Sequence, residues 1–399
     1  MNECRKFFYQ YDNTIEKMHK EREFVNSASV ESHTITNGFI LPLKRDVSIN
    51  FSGGVVDSNK KFVAGLLRHH SHDWGPGCFH SYEFYDYVLS NESVIFGGVI
   101  IPHFGHFLID SLSRLWYIVK NKAVINHYKI VFINSGVVPS YVYETLELLG
   151  LKREQIIFLR EITQFKEIII PAQSGYTILD YVHREYLTIY DEIFFNSIQK
   201  YKGPKYKKIF LSRAKCKSGY KIIGEDYFEK FFSEHGFEIL YPDEMTMLEK
   251  VFLVGNANEI ATTCGTIAHY SLFANKNCKF VILNRIFNFC PNAQILIDAI
   301  KDYECHIIDC SFNFLHADPY HGVSLLYPTK YWIDYVKKTY NEEVLPMDSE
   351  YIFEYIKYFY QFYKNRPTFD FTKEKFLKDF FERSGRLFFD EDFNALPKD

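Results

Sequence analysis

From residue 94 onward, short apolar runs alternate with stretches whose apolar residues recur every three to four positions. "SVIFGGVII", "YKIVFINS", "QIIFL" and "KEIIIPA" read as strands, while the segment from 105, "PSYVYETLELLG" and the pattern near 180–200 read as helices. A second, cleaner series follows. Its strands are "KIFLSR", "FEILYP", "EIATTCG", "CKFVILN" and "CHIIDC", separated by the helical patterns "EDYFEKFFSEHG", "MTMLEKVFLVGNA" and "TIAHYSLFANK". Continuous apolar strands between helices predict a parallel sheet covered on both faces.

The flanks differ. Residues 1–34 are mixed and charged, and "NGFILPLKRDVSINFSGGVVDSNKKFV" then reads as short strands broken by Gly, Asp and Asn turns, a β-rich entry region. "QKYKGPKYKK", 199–208, is polar and carries Gly-Pro at its centre, so it is read as a linker. After 311 the strands stop. "YWIDYVKKTY", "YIFEYIKYFYQFYKNR" and "TKEKFLKDFFERSG" predict amphipathic helices with Tyr/Phe faces opposite lysines. These faces suit packing onto the rest of the chain, and equally a membrane surface or another polypeptide. The expected organisation is an α/β domain over 1–200, a second over 206–310 and a helical extension over 311–399.

Composition narrows the class. With 399 residues, 47% hydrophobic and 24% charged, the chain can build more than one sizeable core, and 18% of it is aromatic. Forty-six basic and fifty acidic side chains leave a net charge of −4, which gives no electrostatic case for nucleic acid. The eight cysteines, at 4, 78, 216, 264, 278, 290, 305 and 310, form no CxxC pair and are read as reduced thiols. The first residues lack a signal-type apolar core, and no run of about 18 apolar residues occurs. The expected location is cytoplasmic, with at most peripheral contact at the inner face of the plasma membrane. The aromatic content raises a homodimer as a further expectation.

The candidate chemistry begins at "GGVIIPHFGHFLIDSLSRLWYI", residues 97–118. Projected at about 100° per residue from Gly105, one arc collects His106, Asp110, Ser113, Arg114 and Tyr117. The other holds Phe107, Leu108, Leu112, Leu115, Trp116, Ile118 and Val119. A solvated helix face explains the polar arc. So does a site, because a helix start at the carboxyl end of a strand lines the crevice where α/β proteins bind ligands. His106 and Asp110 are i and i+4, close enough for a carboxylate to orient an imidazole and for either to take a proton from a hydroxyl. His103 and His106, with His69, His70, His72 and His80 of "RHHSHDWGPGCFH", form a rival metal reading. Their spacing is not that of a zinc motif such as HExxH, so no metal is expected.

Two further stretches suit an anion. In "IFLSRAKCK", Arg213, Lys215 and Lys217 follow the first strand of the second series, and Lys217 is read as plain exposed surface. In "ATTCGTIAHYSLFAN", Gly265 turns the chain and Thr266 begins a helix, whose first amides and dipole favour a phosphate. Together they read as a phosphate clamp. No GxGxxG, GxxxxGK[ST] or GxSxG stands at these junctions, which disfavours a dinucleotide oxidoreductase, a P-loop NTPase and an α/β-hydrolase.

These motifs resemble glycosyltransferase family 61. "GHFLIDSLSRLW" looks like the family's "GHFLxExLPRLW" helix, with Asp110 where Glu is common and Ser113 where Pro is common. "GGVVDSNKKFV", "IFLSR" and "HGFEILYPDEMTMLEKVF" are similar to its hairpin, its arginine-ending strand and its Pro-Glu helix run. "CGTIAHY" stands where the family has "HGAxLxN", with Cys264 for the His, Gly265 kept and His269 near the Asn. Glu225 falls near the family's Asn-Glu pair, whose Asn is Gly224 here.

The resemblance, over roughly 51–285, implies a GT-B-like α/β fold, two Rossmann-like domains facing across a cleft, followed by the helical extension. It implies an inverting, metal-independent transferase without a cofactor. Such an enzyme moves sugar from a nucleotide sugar, a UDP-sugar foremost, to an oligosaccharide or lipid-linked glycan in bacterial capsular polysaccharide synthesis. Asp110, or His106 oriented by it, would be the base. Arg213, Lys215, Gly265 and Thr266 would hold the donor phosphates, and His103, Arg114, Glu225, Cys264 and His269 would line the cleft. Arg114 would grip an acidic acceptor or pair with Asp110. Two other readings stay open: a non-catalytic carbohydrate-binding or assembly protein, and a metal-dependent hydrolase using His103, His106 and Asp110.

Overall fold

The computed structural model describes residues 6–10, 16–17, 25–26, 28–45, 51–66, 80–134, 136–176, 181–216, 221–286, 292–315 and 322–363. His69, His70, His72, Lys217, Cys4, Cys78, Cys290 and the "TKEKFLKDFFERSG" helix lie outside them. The chain divides into two compact units. One takes Arg22–Gly203 with Thr246–Phe252, and the other takes Met1–Glu21, Pro204–Met245 and Leu253–Asp399.

Strand β1 (Lys6–Tyr9) opens the described chain and belongs to the second unit. The first unit holds β2 (Val25–Asn26), β3 (Ser32–Arg45), β4 (Phe51–Val56), β5 (Phe62–Ala64), β6 (Val88–Ile100) and β7 (Lys129–Asn134). It continues with β8 (Ile156–Phe158), β9 (Thr163–Pro171), β10 (Gly175–Tyr176) and β11 (Tyr181–His183). Seven of these form one mixed sheet in the order β5-β4-β3-β9-β6-β7-β8. Its β5-β4-β3-β9 pairings are antiparallel and its β9-β6-β7-β8 pairings parallel. The β-rich entry region and the alternating series are therefore one sheet. In β6, Val94, Ile95, Phe96, Val99 and Ile100 are buried, the run expected of a strand covered on both faces.

The second unit adds β12 (Lys208–Leu211), β13 (Ile222–Ile223), β14 (Glu238–Leu240), β15 (Glu259–Thr263), β16 (Lys279–Asn284), β17 (Glu304–Asp309) and β18 (Ser324–Leu325). Six strands form a wholly parallel sheet, β1-β17-β16-β15-β12-β14, as the alternation predicts. Two details depart from expectation. The strand Lys6–Tyr9 sits at the edge of this sheet, with Lys6 opposite Cys305, rather than in a unit running over 1–200. And strands do not stop at 311, because β18 pairs with β13.

Helix Met247–Asn256 is opened by Thr246, whose amide and hydroxyl both reach Glu249 Oε2 at 2.8 Å, a Thr-x-x-Glu cap. Helix Lys330–Tyr340 turns Tyr331, Trp332, Tyr335 and Val336 inward, and the fully buried Trp332 meets Phe228 edge-on at 5.0 Å. Its aromatic face is thus part of the unit's own core. Helix Glu350–Tyr363 buries Tyr355 and Phe359 and exposes Phe353 and Ile356. Among the described residues no helix is long and apolar enough to cross a membrane.

Candidate functional site

In the first unit β6 leads into an α-helical turn (Phe104–His106), a π-helical turn (Phe107–Ser111), a tight turn over 112–115 and helix Trp116–Lys120. The single helix expected from 105 is broken. Side-chain hydroxyls compete for the carbonyls of this stretch. Tyr186 Oη donates to Ile109 O at 2.9 Å, Tyr190 Oη to Leu108 O, and Ser113 Oγ to Asp110 O at 2.7 Å. Ser174 donates to Ser113 O through both its amide and its hydroxyl. Tyr186 and Tyr190 lie one turn apart on helix Glu185–Lys200, and burial pushes both phenols up, so they remain donors. A wide turn of this kind marks functional sites more often than an ordinary helix does.

The π turn re-aims the polar arc. Asp110, Ser113 and Arg114 are buried, not solvated, and Tyr117 is half-buried. Arg114 Nη2 donates to Gly65 O at 2.6 Å and to Gln173 Oε1, and its Nη1 donates to Pro171 O. It runs beside Gly98, where φ is +106° and a Cβ would stand 3.3 Å from the Arg114 side chain. Arg114 thereby ties together three backbone segments.

His106 and Asp110 do meet. Nδ1 of His106 lies 3.0 Å from Asp110 Oδ2, with side-chain exposures of 30% and 1%. The carboxylate fixes one ring nitrogen from inside while the ring edge reaches solvent. His103 is exposed, its ring 5.0 Å from that of His106, and its carbonyl accepts the Phe107 amide. Among the described residues no group of three or more His, Cys, Asp or Glu side chains is arranged to hold a metal ion.

The second cluster lies in the other unit, at the carboxyl ends of three adjacent parallel strands. After β12, the amide of Arg213 donates to Glu225 Oε1 at 3.0 Å. Glu225 opens helix Glu225–Glu234 and is buried, and burial pushes its carboxyl up to about 7 against the opposing pull of Arg213. After β15, Gly265 adopts φ +133°, a region that favours glycine. A Cβ built there would stand 3.6 Å from Arg213 Nη1 and 3.6 Å from Arg285 Nη2. After β16, the buried Arg285 donates through Nε to Cys264 O at 2.9 Å and through Nη1 to Ser324 Oγ at 3.0 Å.

Arg213, Glu225, Gly265 and the backbone of Cys264 are thus brought together, with half-buried Thr266 next in the chain. Thr266 begins a 3-10 helix, Thr266–Phe273, rather than the expected α-helix. Lys215 is drawn to Glu244 Oε2 at 3.0 Å and lies over the Tyr241 ring. His269 is buried, its Nδ1 3.0 Å from Gln294 Oε1, and Gln294 in turn bonds Asp298 and Ser271. Arg285 was not among the expected site residues. "FVILNR" nevertheless repeats the strand-then-arginine pattern of "IFLSR", which is the signal that marks it.

No curated protein matches the chain. A family model, Glycosyltransferase 61, matches residues 104–281. The match supports the resemblance to glycosyltransferase family 61, and its span takes in His106, Asp110, Arg213, Glu225 and Gly265 while ending short of Arg285.

Proposed function

We propose that the protein is an inverting, metal-independent glycosyltransferase that moves a sugar from a nucleotide sugar, a UDP-sugar foremost, to a hydroxyl of an oligosaccharide or lipid-linked glycan. The proposed setting is cell-surface polysaccharide synthesis on the cytoplasmic side. The observation that carries this reading is the His106–Asp110 pair, a part-exposed imidazole held at 3.0 Å by a buried carboxylate inside the matched segment.

Exposure divides the roles. His106 is the group an acceptor hydroxyl can meet, and Asp110 orients the ring and stabilises the imidazolium that forms. The acceptor oxygen gives its proton to His106 and attacks the anomeric carbon, and the bond from that carbon to the diphosphate oxygen breaks on the opposite face. The charge left on the diphosphate is met by the Arg213 guanidinium and the amides that follow Gly265. The reading takes the two α/β units as the halves of a GT-B enzyme, the donor on the unit that carries Arg213.

Thermal unfolding against UDP, GDP, CMP and ADP and their nucleotide sugars, with Mg²⁺ or EDTA, tests the proposal, because a ligand bound only by the native state raises the transition. One nucleotide series should stabilise the protein equally with EDTA present. A shift with a divalent ion alone favours the hydrolase, and no shift at all favours the binding protein.

A further inference from the structure

We propose that Arg285 is the second half of a phosphoryl clamp, in which a phosphoryl group over Gly265 is gripped between the guanidinium groups of Arg213 and Arg285. The inference rests on the donor reading above for the name of the ligand, but its own test does not need sugar transfer.

Sheet order supplies the geometry. β12, β15 and β16 are neighbours, and Arg213, Gly265 and Arg285 follow their respective carboxyl ends. The middle strand contributes the residue without a side chain, and its two neighbours contribute the cations. A Cβ at 265 would stand 3.6 Å from a terminal nitrogen of each arginine, so the glycine leaves room for an atom that both can reach.

The other arms of the two arginines hold the arrangement in place. Arg285 is fixed through Nε and Nη1 to Cys264 O and Ser324 Oγ, so Nη2 is the nitrogen turned toward Gly265. Asn313 further braces this residue by donating to its carbonyl at 2.7 Å. Arg213 has Nη2 3.7 Å from Cys216 Sγ and Nη1 toward Gly265. Glu225 lies near both and accepts the Arg213 backbone amide with Oε1, and among the described residues its buried Oε2 has no hydrogen-bond partner.

Two permanently charged, planar forks converging on one glycine suit the several oxygens of a phosphoryl group, which a single cation would leave partly unmatched.

The test is calorimetric titration of the full chain with inorganic pyrophosphate and, separately, orthophosphate and nucleoside diphosphates. Pyrophosphate should bind, and Arg285→Lys and Arg213→Lys should each weaken it about tenfold or more, because the ammonium keeps charge and loses the fork. Melting of each variant without ligand checks its fold. In the wild-type chain, arginine-selective NMR supplies a readout independent of any variant: both guanidinium signals should move together as pyrophosphate is added. Unchanged affinity in Arg285→Lys, or movement of the Arg213 signal alone, overturns the clamp. Stronger binding of nucleoside diphosphates than of pyrophosphate identifies the source as a nucleotide. Pyrophosphate bound through both arginines with no transfer from any nucleotide sugar would keep the clamp and sink the transferase reading. Transfer with wild-type affinity in Arg285→Lys would do the reverse.

Discussion

The Nδ1 atom of His106 and the Oδ2 atom of Asp110 lie 3.0 Å apart across one helical turn, the carboxylate sealed from solvent and the imidazole open to it. The two act as a unit if the carboxylate's task is to orient the ring. Their losses should then be far from additive: His106→Ala combined with Asp110→Asn should turn over no more slowly, within about threefold, than the worse single variant. Losses that multiply in the double variant would show two separate roles.

The π turn that presents this pair is tied down by Tyr186 and Tyr190, whose hydroxyls reach Ile109 O and Leu108 O. Tyr186→Phe and Tyr190→Phe keep the buried rings and leave those carbonyls without their side-chain donors. Each should lower stability by about 1–3 kcal/mol in urea unfolding. Each should also reduce turnover, because the turn that aims Asp110 relaxes. A Tyr190→Phe protein with wild-type stability would show that the hydroxyl is immaterial.

The series β12, β14, β15, β16 and β17 was legible because each strand reads as a short apolar run in the sequence. The edge strand Lys6–Tyr9 was not, since its partner Cys305 is some three hundred residues away and a four-residue aromatic run gives no hint of that pairing. The polar arc of His106, Asp110, Ser113 and Arg114 was visible as a pattern. Its burial was hidden, because projection at one fixed angle assumes an ideal helix and hydroxyls from residues 113, 174, 186 and 190 bend this one. Arg285 carries the same strand-then-arginine pattern as Arg213, and what sets it apart, its burial and its bonds to Cys264 O and Ser324 Oγ, is a tertiary property. Glu225 is marked in the sequence only by the family resemblance. The elevation of its carboxyl is a tertiary effect that the sequence does not show.

Glu225 gives a pH dependence with a defined sign. Burial raises its folded-state carboxyl to about 7, above the ordinary carboxylate value of 4.5, so the folded protein holds this proton more tightly than the unfolded chain. Its contribution is therefore most favourable below the unfolded value and is lost as pH rises from about 4.5 through about 7, by roughly 3 kcal/mol at most. Glu225→Gln keeps an acceptor for the Arg213 amide and removes the titration. The variant should gain stability relative to wild type on going from pH 5 to pH 8, measured by denaturant unfolding at each pH. A difference independent of pH would contradict the elevated carboxyl.

Trp332 is fully buried against Phe228, Phe231 and Phe232, whereas Phe353 on the next helix is 69% exposed. Trp332→Ala should cost about 3–5 kcal/mol. Phe353→Ser should stay within about 0.5 kcal/mol. Equal effects in unfolding experiments would show that the aromatic face is not core.

The most direct test of the account is acceptor-dependent release of nucleoside diphosphate from the nucleotide sugar that stabilises the protein, compared among wild type, His106→Ala and Asp110→Asn. Wild type should turn over, and EDTA should not abolish that turnover. Turnover in each variant should fall by about 10²–10⁴-fold with donor affinity retained. Unchanged turnover in both variants would contradict the account.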